Sequence, residues 1–232
     1  MAVEPGPAPR LRKDAERNLA RILTAAREVF RDRGVGATLN DIAHHAGVGV
    51  GTVYRKFSDK EALVDALFDD MVETVDGYLR EALTEPDAWA GLTWALERVC
   101  EIQSFDRGLR EVMLGTGRGP ERQKQMRDRV APSVDALVAR AQEQGTLRRD
   151  LVPPDFPILQ LMVGAVTDHI GQPELWRRYL TILIDGLRAR PGRPTPLPAF
   201  EVTDEQMHDA LVDSSTEQAR TRRARTRRKR ES

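Results

Sequence analysis

The spacing of the apolar residues constrains this chain most, because it is helical nearly from end to end. Leu19, Ile22, Leu23, Ala26, Val29 and Phe30 fall on a single stripe of a helix. Asp32-Arg-Gly34 ends that stripe, with Gly34 suited to the left-handed position after a helix. Thr38 opens a second helix, with Asp41 three residues on as a short capping-box partner. Leu39, Ile42, Ala43 and Ala46 form its buried side. Gly47-Val48-Gly49 makes a tight turn, and residues 50–56 make a third short helix with Val53 and Phe57 facing inward.

Ser58-Asp-Lys-Glu61 predicts a full capping box, with Ser58 on the N3 amide and Glu61 reaching back. The helix it starts is long. Leu63, Leu67, Met71, Val75, Leu79 and Leu83 recur every four residues, and no proline intervenes before Pro86. About 25 residues span roughly 37 Å. Helix-like segments follow over residues 87–105, 107–114, 121–144, 154–170 and 173–189, with a flexible loop at Gly115–Pro120. Pro132 is placed to kink or divide the third of these. The last two are apolar over more than one face and are expected to bury against two surfaces. No strand pattern or internal repeat is present, so the fold class is all-α.

Of the 232 residues, 40% are hydrophobic and 31% charged, enough for a core that needs no covalent or metal staple. No stretch approaches the ~18 consecutive apolar residues of a membrane helix. Residues 1–9 lack the basic and apolar regions of a secretory signal, so a cytosolic location is expected. The single cysteine, Cys100, excludes an internal disulfide and any multi-cysteine zinc site. The formal net charge of zero conceals a segregation of sign. Residues 1–60 carry 11 basic and 7 acidic side chains, residues 61–216 carry 17 and 27, and residues 217–232 carry 8 and 2. A basic head on an acidic body points the head at an anionic partner, for which nucleic acid is the usual candidate.

The segment from Thr38 to Phe57 supplies the reason. A short helix, a glycine turn and a second short helix, followed by a helix that props them up, is the layout of a helix-turn-helix. The second helix must be short and polar outward to lie in the major groove, while the first bridges to the DNA backbone. Thr38, at a helix start, offers a hydroxyl and free amides to a phosphate. Tyr54, Arg55, Lys56 and Lys60 offer further phosphate contacts.

Residues 19–63 resemble the DNA-binding domain of the TetR family of transcriptional regulators. The matching string is Ile22-Leu-x-Ala-Ala26, Phe30, Gly34, Thr38, Ile42-Ala43, Ala46-Gly-Val48, Gly51-Thr-Val-Tyr-Arg-Lys-Phe57 and Lys60-Glu-Ala-Leu63. The resemblance implies a three-helix DNA module and a long fourth helix leading to a helical ligand-binding and dimerisation domain. It implies a homodimer paired through its last two helices, a palindromic double-stranded DNA operator, and a small-molecule effector that releases the DNA. Carried over by position, Thr38, Gly49, Val50, Thr52, Tyr54, Arg55 and Lys60 match the family's usual DNA contacts, with Lys56 as an added phosphate contact. The chain departs from many relatives at Gly49 and Val50, where a polar residue is common. Thr52 can hydrogen-bond and Val50 can touch a thymine methyl, so specificity is expected to lean on shape, or on Asn40 or Arg55.

The expected organisation is a flexible arm over 1–17, the DNA module over 18–64, a regulatory and dimerisation domain over 65–190, and a Pro-rich linker with a disordered basic tail over 191–232. A short amphipathic helix is expected within that last stretch, at residues 203–212. Leu159, Val163, Leu175, Trp176, Tyr179 and Leu183 are the candidate dimer contacts. Trp89, Trp94, Phe105, Met113, Met126, Met162 and His169 are candidates for an effector pocket, against the plainer reading that such residues are core. His44 and His45 point about 100° apart on a helix and read as solvated positions rather than metal ligands. Gly115-Thr-Gly-Arg-Gly lacks the Gly-Lys-Ser/Thr ending of a phosphate loop. Cys100 reads as a buried, inert thiol rather than a redox sensor. The basic tail either adds salt-sensitive DNA affinity or is a solvated appendage. No paired carboxylates, activated nucleophile or metal spacing is present, so no enzyme, cofactor or metal is expected. The rivals to a ligand-responsive repressor are a non-specific nucleic-acid-binding helical protein and an activator of the same fold.

Overall fold

A computed structural model describes residues 9–105, 119–170, 172, 174–189, 195–198 and 206. Among them run eight α-helices and no strand: α1 (Pro9–Arg33), α2 (Leu39–Ala46), α3 (Val50–Lys56), α4 (Lys60–Thr84), α5 (Ala88–Phe105), α6 (Gly119–Glu143), α7 (Asp155–Ile170) and α8 (Leu175–Leu187). The expected helix at 107–114, the one at 203–212 and the basic tail lie outside the described residues, Gln206 apart. The arm expected to be flexible over 1–17 is helical from Pro9 onward, as the first turns of α1.

The apolar stripes are buried as their periodicity predicts. Ile22, Leu23, Ala26, Val29 and Phe30 of α1 meet Leu39, Ile42, Ala43 and Ala46 of α2, Val53 of α3, and Leu63, Val64, Leu67, Phe68 and Val72 of α4. A second core takes over further along α4, where Val75, Leu79 and Ala82 pack with Leu92, Leu96 and Val99 of α5, Leu137, Val138 and Ala141 of α6, Phe156 of α7 and Leu187 of α8. Met126 of α6 packs against both cores. One continuous helix therefore serves the two halves. Where α5 crosses the end of α4, a Cβ on Gly91 would lie 2.4 Å from the Ala82 carbonyl oxygen, so only glycine fits.

Two local expectations are corrected. Ser58 does not cap α4. The cap is Asp59, whose carboxylate accepts the Ala62 amide at 2.8 Å, while the Ser58 hydroxyl donates to that same carboxylate. With the cap one residue later than expected, Glu61 is no longer the N3 residue, and it pairs instead with Arg122 of α6. Pro132 does not divide α6, which runs unbroken through it. The antiparallel bridge between Leu147 and Arg188 ties the α6–α7 turn to the end of α8. The exposed, non-helical residues 195–198 are held there as well, with Arg148 donating to the Thr195 carbonyl and the Leu197 amide donating to Asp150.

α6 lies parallel to α4 along a ladder of polar contacts. Arg122 donates to Glu61 and, through Nε and Nη2, to Asp65. Gln125 donates to Asp69, Arg129 pairs with Glu73 and Asp76, and Arg140 donates to the carbonyls of Leu83 and Glu85. Arg122 is 4% exposed, whereas its carboxylate partners keep about a third of theirs. Burying a guanidinium is tolerable only with such partners. Replacing it with methionine leaves two carboxylates that water can still reach, so Arg122→Met should cost about 1–3 kcal/mol of stability, read as a fall in the urea midpoint.

Candidate nucleic-acid interface

Thr38 caps α2 through a complete box. Its hydroxyl accepts the Asp41 amide at 3.2 Å, and its own amide and hydroxyl donate to the Asp41 carboxylate at 3.0 and 2.6 Å. This corrects the idea that the Thr38 hydroxyl is free for a phosphate, because Asp41 engages it. The first-turn amides of Leu39 and Asn40, which have no carbonyl behind them in a helix, are the donors left at that end. Asn40 itself is exposed. α2 ends at Gly47, whose φ of 62° requires glycine in practice.

The turn is secured from outside by a residue not singled out in the sequence. Arg21 of α1 donates to the Ala46 carbonyl at 2.7 Å and to that of Gly47 at 3.4 Å. Its polar position on an amphipathic helix carries no local signal for this role, since the partners lie 25 and 26 residues away. Arg33 pairs with Asp41, His45 with Glu28, and Arg27 with Asp70. His44 and His45 are exposed, as expected, and no group of three metal-ligating side chains exists among the described residues.

α3 follows with Gly49 as its N-cap and Val53 as its buried contact, seated by Phe57 just beyond its end. Val50, Tyr54, Arg55 and Lys56 are all exposed, and Thr52 is half-buried. Arg55 donates to the Thr52 hydroxyl at 3.2 Å, so part of the donor set is turned along the helix. Lys60 differs from the rest. It is half-buried at the start of α4, with its ammonium 5.4 Å from the centre of the Phe30 ring. Burial pushes its pKa below the ordinary value, against the influence of Glu61. The structure thus gathers Asn40, Gly49, Val50, Thr52, Tyr54, Arg55 and Lys56 on the α2–α3 unit and sets Lys60 back against α1.

Residues 22–67 match the family model for bacterial regulatory proteins of the tetR family, and residues 86–189 match that for the C-terminal domain of SbtR-like transcriptional regulators. A TetR transcription regulatory protein from Mycobacterium vanbaalenii is 30% identical, with 77% of this chain and 99% of that one aligned and a TM-score of 0.62. The chain belongs to the TetR family. SmeT, the repressor of the Stenotrophomonas maltophilia multidrug efflux pump SmeDEF, is 25% identical over 78% of this chain and 97% of its own, with a TM-score of 0.54. The HTH-type transcriptional regulator TtgR of Pseudomonas putida is 40% identical over 79 residues, which span 34% of this chain and only 38% of that regulator.

In this TetR-family chain the structure describes the side chains of four candidate effector residues, Trp89, Trp94, Met126 and Met162. Trp89 and Trp94 are half-buried on α5 and, with Met126, pack against the second core. Trp94 meets Tyr78 edge-on at 5.6 Å, and the Arg188 guanidinium lies 5.2 Å from the Trp89 ring centre. Met162 is 52% exposed and so lines no interior in the single chain. Met113 and the side chains of Phe105 and His169 lie outside the described residues.

The candidate dimer contacts also divide. Val163 and Trp176 are buried with Cys100 and Leu180 in a small core of the chain itself, which removes them as intersubunit contacts. Leu159 and Leu183 are half-buried against the chain's own cores, and Leu175 is half-buried. Tyr179 is exposed, and beside it in the helical repeat Ile182 is 57% exposed. The exposure of Ile182 was not legible in the sequence, because a helix that is apolar on two faces does not say which one turns inward.

Two outcomes test these environments. The Thr38 hydroxyl and amide, with help from Arg33, hold the Asp41 carboxyl below its ordinary 3.8. A depressed folded-state pKa adds stability above the unfolded value and loses it as pH falls through the folded one. Asp41→Asn should therefore lower the denaturation midpoint at neutral pH, with the gap to wild type closing as pH drops below 3.8. Burial, with Glu97 nearby, pushes the Cys100 thiol up to about 12. A thiol reagent at neutral pH should leave the native protein unlabelled and label it fully in denaturant.

Proposed function

We propose that this protein is a sequence-specific transcriptional repressor that holds a pseudo-palindromic operator as a homodimer and releases it when a small molecule binds its helical domain. The observation that carries this reading is α3. It is a short helix pinned through Val53 and Phe57, and it presents Val50, Tyr54, Arg55 and Lys56 to solvent beside a capped α2. A helix so held can enter a major groove with its side chains in fixed positions. Its family membership and its likeness to the repressor SmeT support the repressor over the activator. Relatives of this kind are named as regulators, and the protein is read as one rather than as an enzyme.

The DNA module is taken as residues 18–64 and the regulatory and dimerisation domain as 65–190. The paired surface is assigned to the outward side of α7 and α8, where Met162, Tyr179 and Ile182 are exposed. Two recognition helices about 34–36 Å apart would occupy successive major grooves. A ligand within residues 85–190 that tilts α4 would change that separation, because α4 belongs to both cores. Cytoplasmic placement fits a DNA partner, and among the described residues no helix is long and apolar enough to cross a membrane.

The test is selection of bound fragments from a random duplex library by the full chain at a stated salt concentration. A pseudo-palindrome with half-sites about one helical turn apart is expected. Binding without enrichment that fades smoothly with salt would replace this reading with that of a non-specific binder.

A further inference from the structure

Trp176 is the largest side chain in the small core where α5, α7 and α8 meet. It is 1% exposed and packs with Cys100 of α5, Val163 of α7 and Leu180 of its own helix. Its indole Nε1–H can donate a hydrogen bond and cannot accept one. Among the described residues it is the buried side-chain nitrogen or oxygen that has no hydrogen-bond partner. Other buried polar groups are met. Arg122 has Glu61 and Asp65, and Asp76 has Arg80 and Arg129. An unmet buried donor has given up its water and gained nothing in return. A purely apolar side chain would fill this core without that penalty, so the fold alone does not account for the indole N–H.

The surroundings say what kind of acceptor fits. Valine and leucine side chains carry none, and a thiol is a weak one. At 1% exposure the ring offers a second subunit almost no surface, so the missing acceptor is not a partner's. One face of the ring is covered by the Arg177 guanidinium, 4.3 Å from its centre. Arg177 is committed to Glu174 on its own helix and, across to α5, to Glu101 at 3.0 Å. That exposed ion pair closes the rim between α5 and α8. Pairs of this kind are weak, so the two helices can part there. The interior is apolar and the cation over the ring already has two carboxylates, so a charged guest is poorly served. An apolar body with a neutral acceptor is well served. Ile184 of α8 packs against both this small core and the one that holds α4, so a guest here adjoins the helix that carries the DNA module.

Resting on the reading of the protein as a repressor released by a small molecule, we propose that Trp176 is the hydrogen-bond donor for that effector: a neutral, largely apolar molecule seats between α5, α7 and α8 with a carbonyl or ether oxygen on the indole N–H. The acceptor is the one group the folded chain does not supply there, so binding selects for it.

The experiment uses the full chain with isotope-labelled tryptophan, so that NMR separates the indole protons of Trp89, Trp94 and Trp176. Trp89→Phe and Trp94→Phe each delete one signal and leave that of Trp176 by elimination. The probes are acetophenone and isopropenylbenzene, which has the same shape with a CH2 group in place of the ketone oxygen. In the free protein the Trp176 proton should lie upfield, where an unbonded indole resonates. Acetophenone should move it downfield, and isopropenylbenzene should not. The ratio of ketone to hydrocarbon affinity should fall about five-fold in Trp176→Phe. Saturating ketone should weaken binding to the duplex enriched by selection about tenfold. A Trp176 proton already hydrogen-bonded in the free protein, to a buried water or otherwise, overturns the inference. So does a ketone that leaves this proton where it was, an affinity ratio that Trp176→Phe leaves unaltered, or a bound ketone without effect on the operator. If Trp176→Phe does not fold, the wild-type spectra decide. Failure to enrich any duplex overturns the operator-binding reading, while the measurements without DNA still decide whether Trp176 holds a ligand.

Discussion

The structure depends on the burial of a single helix twice over. From Leu63 to Val72 the apolar stripe of α4 closes the core beneath the helix-turn-helix, and from Val75 to Ala82 it joins a different core with α5 and α6. Hydrophobic burial is non-directional and grows with area, so neither half can be peeled from α4 without exposing much of its own interior. A helix of this length is also stiff on the scale of the molecule. The DNA module is consequently attached to the rest by a packed beam, and a shift at one end is felt at the other.

The polar ladder adds direction to that attachment. Hydrophobic contact alone would let α6 slide along α4, since one methyl group is much like the next. Arg122 on Glu61 and Asp65, Gln125 on Asp69, and Arg129 on Glu73 and Asp76 set the register, because each donor must meet its acceptor. The first rung sits at the start of α4, within a few residues of α3. Whatever moves the N-terminal end of α6 therefore acts close to the recognition helix, which gives the proposed effector response a short physical route.

Much of this was legible in sequence, and the misses share one cause. The stripes of α1, α2 and α4 fell where periodicity put them, and the Thr38–Asp41 box formed as its spacing predicts. Ser58 lost its capping role to Asp59, and Glu61 pairs instead with an arginine 61 residues further on. The Thr38 hydroxyl was satisfied by the very box that was correctly foreseen. Arg21 secures the α2–α3 turn across 25 residues. Side chains with several possible partners choose by proximity in space, which local spacing does not encode.

The same division governs the surfaces. By itself the sequence determined the all-α class, the boundaries of most helices and the helix-turn-helix, because apolar periodicity, caps and glycine turns act within a few residues. It also determined that α7 and α8 have two apolar faces. Only the tertiary structure decided that Val163 and Trp176 turn inward while Met162, Tyr179 and Ile182 face out. It likewise decided that Gly51 of α3 is exposed, with room for a Cβ that would meet no atom within 4 Å. Burial is a property of what packs from elsewhere in the chain, and a stripe of apolar residues is the same in sequence whether it meets its own core or the outside.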